Sequence, residues 1–74
     1  MRSREAVRAI MADEGIGTKA LSDRMGKSMR LVCDRLSQDN MSVEKLTEML
    51  RVMGYKVVVM PADRRLRDHE YAIE

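Results

Sequence analysis

The chain has 74 residues, 14 Lys and Arg against 12 Asp and Glu for a net charge of +2, one cysteine, one histidine and 3% aromatic residues. At most one small domain is expected at this length; Cys33 has no partner for an intrachain disulfide, and Cys33 with His69 falls short of a structural zinc site. No apolar run nears the ~18–20 residues of a membrane span, and so few aromatics speak against base stacking on single-stranded nucleic acid.

The start, MRSREAVRAI, is charged and already helix-periodic, unlike a secretory signal. A reducing, cytoplasmic location is therefore expected, without membrane partner, metal or cofactor. The isoelectric point near 9.0 permits a polyanionic partner without demanding one. Eight methionines stand in for the missing Phe and Trp as core filler.

The first helix is predicted over Ser3–Glu14, with Ser3 as N-cap and Ala6, Val7, Ile10 and Met11 as its apolar stripe. Gly15 stops it, and Ile16 in the connection drops into the core. A second helix follows from Thr18 to Met25, capped by Gly17 or Thr18, with Leu21 and Met25 as an i, i+4 pair and Gly26 at its end. Ser28 caps a third helix reaching about Gln38, with Met29, Val32 and Leu36 on one stripe. "SQDNM" is a polar loop. Ser42 caps the fourth helix, whose stripe is Val43, Leu46, Met49, Leu50 and Met53, and Gly54 stops it.

Then the period changes. "YKVVVMP" is β-branched, short and closed by Pro61, so a strand is expected. "ADRRLRD" is a charged connector in which Arg64, Arg65 and Arg67 form a solvated run. "HEYAIE" sets Tyr71 and Ile73 on one face as a weaker strand, either paired with the first as a hairpin or frayed. The expected fold is mainly α: a four-helix domain over 1–60 that ends in a strand, then a charged connector and tail over 61–74.

Function concentrates between Leu21 and Leu36. Two short helices flank Gly26, a residue free to take φ > 0, as a tight turn between near-perpendicular helices requires. Leu21, Met25, Val32 and Leu36 lock the pair together. Ser28, Met29, Arg30, Cys33 and Asp34 remain exposed at the start of the third helix. In a helix-turn-helix that is the part that meets base edges in the major groove. Arg30 can bridge O6 and N7 of guanine, although Arg30 and Asp34 are also spaced for an ordinary surface ion pair. Cys33 is read first as a small half-buried side chain. Nothing suggests catalysis: there is no Ser/His/Asp or Cys/His set and no glycine-rich phosphate loop, so the chain is expected not to be an enzyme.

The ordered pattern T-K-A-L-S-x-x-M-G-K-S-x-x-x-V-x-x-x-L, a polar loop, then S-V-E-K-L-x-x-M-L-x-x-M-G-Y-K-V-V-V resembles the Cro/phage-repressor (XRE-type) helix-turn-helix domains. The resemblance runs from Arg4 to Met60. It implies a compact lambda-repressor-like fold, carriage by a phage or mobile element, a bacterial or phage-infected cell as its setting, and a homodimeric repressor of transcription on an inverted repeat. By position it puts Ser28, Met29, Arg30, Cys33 and Asp34 on the base-facing side, and Thr18, Lys19, Lys27 and the Asn40–Ser42 loop against phosphates. Thr18 and Ser42 begin helices, whose free N–H groups suit a phosphate. Three positions depart from the pattern: Ser22 where the family prefers Ala, Lys27 where a small apolar residue is frequent, and Arg35 where many members are apolar. The apolar strand at Tyr55, Val57, Val58 and Val59 offers a dimer seam. Two alternatives on the same scaffold remain open, a phage-encoded inhibitor that masks a host protein and an antitoxin whose tail neutralises a toxin.

Overall fold

In the computed structural model, which describes residues 1–74, helix α1 spans Ser3–Glu14, α2 Thr18–Met25, α3 Met29–Leu36 and α4 Val43–Arg51. Each boundary has a local cause. Glu5 accepts from the Arg2 N–H at 2.9 Å where α1 begins. The Ser28 and Ser42 hydroxyls accept from the N–H groups of Leu31 and Lys45, both at 3.2 Å, and so open α3 and α4. Three helix stops share one pattern, in which the N–H after a glycine reaches back to a last-turn carbonyl. Ile16 reaches Met11 at 2.8 Å, Lys27 reaches Ser22 at 3.1 Å and Tyr55 reaches Leu50 at 2.9 Å. Gly26 is the stop on which the α2–α3 geometry hangs. Its φ is +66°, where a side chain would cost about 1–2 kcal/mol, and Ser28 must already be capping α3 two residues later.

All four helices close on one core. Val7, Ile10 and Met11 come from α1, Leu21 from α2, Val32 and Leu36 from α3, and Leu46, Met49 and Leu50 from α4; Ile16, Met41 and Met53 enter from the connections. Full burial of such a side chain contributes about 1.5–3 kcal/mol. α2 packs on α3 and α4, and α1 packs on α3 and α4, whereas the backbones of α3 and α4 do not approach closely. No helix is long and apolar enough to cross a membrane. The Cα radius of gyration is 12.1 Å, close to the roughly 11 Å of a compact chain this size.

A polar junction fixes the α3–α4 loop to the start of α1. Ser3 is 2% exposed. Its Oγ accepts from the Met41 N–H at 2.9 Å and donates to the Asp39 carbonyl at 3.3 Å, while its own N–H donates to Asn40 Oδ1 at 3.3 Å. Arg4 adds an ion pair to Asp39 at 2.8 Å. This junction carries Met41 into the core, a burial that the polar look of "SQDNM" conceals.

Several expectations are corrected here. Ser3 is not the N-cap of α1; Arg2 holds that place, and Ser3 is turned inward as the hub just described. α3 ends at Leu36, not near Gln38, because the Ser37 hydroxyl donates to the Asp34 carbonyl at 2.6 Å and closes the last turn. Val43, assigned to the buried stripe of α4, sits in its first turn beyond the edge of the core and is 68% exposed, whereas Met29, set on one stripe with Val32 and Leu36 but also expected at the exposed start of α3, is 45% exposed.

The largest correction concerns the C-terminal segment. Neither "YKVVVM" nor "HEYAIE" forms a strand, and the two do not pair as a hairpin. A strand needs a neighbour for its ladder, and the tail has spent its hydrogen bonds elsewhere. The Met1 amine donates to the Ala72 carbonyl at 3.4 Å, and the Glu74 N–H donates to the Met1 carbonyl at 2.9 Å. The hydroxyls of Tyr55 and Tyr71 donate to Glu14 and Asp13 at the C-terminal end of α1. There the helix dipole disfavours carboxylates, so the two donors offset a local cost. A Tyr hydroxyl facing a carboxylate resists ionisation. The Asp13 hydrogen bond, with desolvation, pushes the Tyr71 hydroxyl up to about 12.

The Ser3 junction makes a direct prediction. Ser3→Ala leaves the buried Met41 N–H without an acceptor and lowers the unfolding free energy by about 1–3 kcal/mol, measured by urea titration.

Candidate nucleic-acid interface

α3 divides cleanly by face. Val32 and Leu36 are buried, Leu31 and Arg35 flank them, and Met29, Arg30, Cys33 and Asp34 are exposed. The packing of α2 and the Gly26 turn hold this helix from one side; Ser28 fixes its first turn. Ser22, one of the three unusual positions, is buried, and its hydroxyl donates to the Lys19 carbonyl at 2.7 Å. A serine therefore fills a small-residue site without leaving a polar atom unsatisfied.

Arg35 explains another unusual position. Its guanidinium donates to Glu48 Oε1 at 2.7 Å, and its side chain is only 13% exposed. The stem is largely buried while the charged end crosses to α4. The backbones of α3 and α4 do not approach closely, and this ion pair bridges them. The hydrogen bond from Arg35 holds the Glu48 carboxyl below the usual carboxylate range despite some desolvation, and the charges of Lys27 and Arg51 act in the same direction. One acid on α4 thus meets cations from the turn before α3, from the last turn of α3 and from α4 itself.

Above this bridge lies an open cleft of about 440 Å³ lined by Ser28, Arg30, Leu31, Asp34, Arg35, Gln38 and Lys45. Arg30 and Lys45 form no ion pair, and neither does Asp34, so the i, i+4 surface pair between Arg30 and Asp34 is not made. Two free cations and one free acid face the same opening. Such an arrangement suits an anionic ligand read partly by a hydrogen-bond acceptor.

The structure gathers some expected residues here and leaves others apart. Ser28, Arg30 and Asp34 share the cleft; Met29 and Cys33 lie on the exposed side of α3 outside its lining. Cys33 is exposed rather than half-buried. Lys27 is exposed in the turn, and Ser42 is exposed at the start of α4. Thr18 is half-buried at the start of α2, and Lys19 pairs with Asp23 at 3.7 Å. Asn40 serves the Ser3 junction. Of the dimer-seam residues, Tyr55 is half-buried with its hydroxyl on Glu14 at 3.0 Å, while Val57, Val58 and Val59 are exposed. Lys45, Gln38 and the Arg35–Glu48 bridge escaped the sequence reading. Lys45 could have been found from its place one turn after the Ser42 cap, at an exposed position beside the apolar stripe of α4.

No group of three or more His, Cys, Asp or Glu side chains is arranged to hold a metal ion. Comparison with protein-family models, with curated proteins and with solved structures returns no match.

The bridge carries a pH signature. A lowered carboxyl pKa means stability that is present above the unfolded value of 4.5 and lost as pH falls through the lower folded one. Glu48→Gln flattens that acid limb of the urea midpoint against pH, and the wild-type chain retains it.

Proposed function

We propose that this chain is a sequence-specific double-stranded DNA-binding regulator of transcription, a homodimeric repressor on an inverted repeat, with α3 as the reading helix. The observation that carries this reading is the exposed side of α3, where Arg30 is held on a rigid, capped helix and has no partner within the molecule. An arginine free of intramolecular ion pairs at the start of the second helix of a Gly-turned pair suits base-edge contact. Lys45 and Lys27 flank it as candidates for phosphate, with Thr18, Lys19 and the N-terminus of α4 at Ser42 as further ones. The resemblance of the Arg4–Met60 pattern to the Cro/phage-repressor domains supports the same reading. No catalytic or cofactor role is part of it.

A second reading is favoured by Asp34. A free acid in the cleft costs phosphate attraction unless it accepts from a cytosine amine, whereas on a protein it can meet a lysine or arginine. On that reading the face masks a host protein. Pull-down with and without nuclease separates the two: a stoichiometric partner that survives nuclease supports the protein reading.

Fluorescence anisotropy on the duplex upstream of its own gene, against random duplex, tests the DNA reading. Salt-sensitive binding tighter on the former is expected, and equal binding to both defeats the proposal. Arg30→Ala then costs about 1–3 kcal/mol and relaxes discrimination at one base pair, whereas Lys45→Ala weakens all sequences alike and lowers the salt slope by about 1.

A further inference from the structure

The cleft between α3 and the start of α4 holds charges of both signs that answer no group of the protein. Arg30 and Asp34 stand one turn apart on α3 and line the same opening, where an i, i+4 ion pair is the ordinary outcome. No such pair forms, and neither side chain is engaged elsewhere in the chain. Lys45 reaches the opening from α4 and is likewise unpaired, whereas Arg35 is held by Glu48 at 2.7 Å.

Duplex DNA satisfies only part of this set from any one base. A paired guanine offers O6 and N7 to Arg30, but cytosine closes its Watson–Crick edge. Asp34, an acceptor only, then gains nothing from that base. A guanine outside a duplex exposes both edges. Its N1–H and N2 amine are adjacent donors that one carboxylate accepts together. The O6/N7 edge adjoins them on the same ring. Side chains four residues apart on a helix have Cβ atoms about 5–6 Å apart, so Arg30 and Asp34 are spaced to hold two edges of one base.

We infer that this cleft binds a free guanine nucleotide, with Arg30 on O6 and N7, Asp34 on the N1–H and N2 amine, and Lys45 on the phosphate. Its volume of about 440 Å³ lies within the roughly 300–1,000 Å³ of small-molecule sites. Leu31 supplies an apolar contact for the ring, and the Gln38 amide a hydrogen bond for the ribose. A mononucleotide is the occupant rather than single-stranded nucleic acid. Tyr55 and Tyr71, the only aromatics, are committed to the end of α1 and leave no platform for successive bases. The nucleotide takes the Arg30 side chain that the regulator reading gives to the duplex, and so acts as an effector that lowers DNA affinity. That consequence rests on the regulator reading. The binding site does not, and its test contains no DNA, so the two can fail separately.

Titration calorimetry on the whole chain compares the 5′-monophosphates of guanosine, inosine and adenosine with unphosphorylated guanosine. Hypoxanthine, the base of inosine, lacks the N2 amine; adenine lacks O6 and the N1–H. Guanosine 5′-monophosphate is expected to bind at least about tenfold more tightly than either, the factor carried by one hydrogen bond to a charged group. Asp34→Asn removes its preference over inosine 5′-monophosphate, and Lys45→Ala its preference over guanosine. Both side chains are exposed, and helical circular dichroism stays unchanged in each variant. No binding at millimolar nucleotide, equal affinity for guanosine and adenosine 5′-monophosphates, or a guanine preference that survives Asp34→Asn overturns the inference.

Discussion

Everything in this fold depends on four short helices sharing one apolar core. The longest, α1, covers Ser3–Glu14, and α2 and α3 are two turns each. Helices below ~12–15 residues are marginal in water by themselves. Each persists because Leu21, Val32 and Met49, all fully buried, close the same interior. A two-turn helix can give that interior only one narrow stripe. α3 gives Val32 and Leu36, and its other side must face outward. The exposed row Met29, Arg30, Cys33 and Asp34 is thus a geometric consequence of the core, before any question of ligand arises.

The polar contacts decide where that outward face points. Gly26 sets the angle between α2 and α3, since no other residue type takes its φ of +66° without strain. The Ser3 hub pins the loop after α3 to the start of α1, and Arg24 donates to the Val52 carbonyl at 3.2 Å, tying α2 to the end of α4. Arg35–Glu48 spans the gap between α3 and α4, whose backbones do not approach closely. These fastenings leave Arg30 and Lys45 across one cleft with no partners of their own. A rigid scaffold with free cations at its opening is suited to recognition, because little order remains to be gained on binding.

The tail shows how one polar substitution of partners redirects a segment. "HEYAIE" has the alternation of a strand, but Met1 and the two carboxylates at the end of α1 offer it hydrogen bonds close by. Tyr71 and Tyr55 answer the same local cost, two acids at a helix C-terminus, from opposite ends of the intervening loop. The valines between them are left presented, with their ladder positions open.

The helices were legible because their signals are local. The spacing of Val7, Ile10 and Met11, the serines at 28 and 42, and the glycines at 15, 26 and 54 each act within one turn of the residue that carries them. The division of α3 into a buried and an exposed side followed from the same periodicity, as did Arg30 as an outward-facing residue. Other features needed partners distant in the chain. That Ser3 turns inward to serve Met41, that a charged Arg35 lies beside the core because Glu48 receives it, that Lys45 joins Arg30 across a cleft, and that Lys56–Met60 lacks a strand to pair with are decided by tertiary contacts. Local sequence determines which backbone conformation is cheap and which side of a helix is apolar. Only the closed fold decides which polar groups find one another, because a hydrogen bond or ion pair depends on the distance between residues remote in sequence.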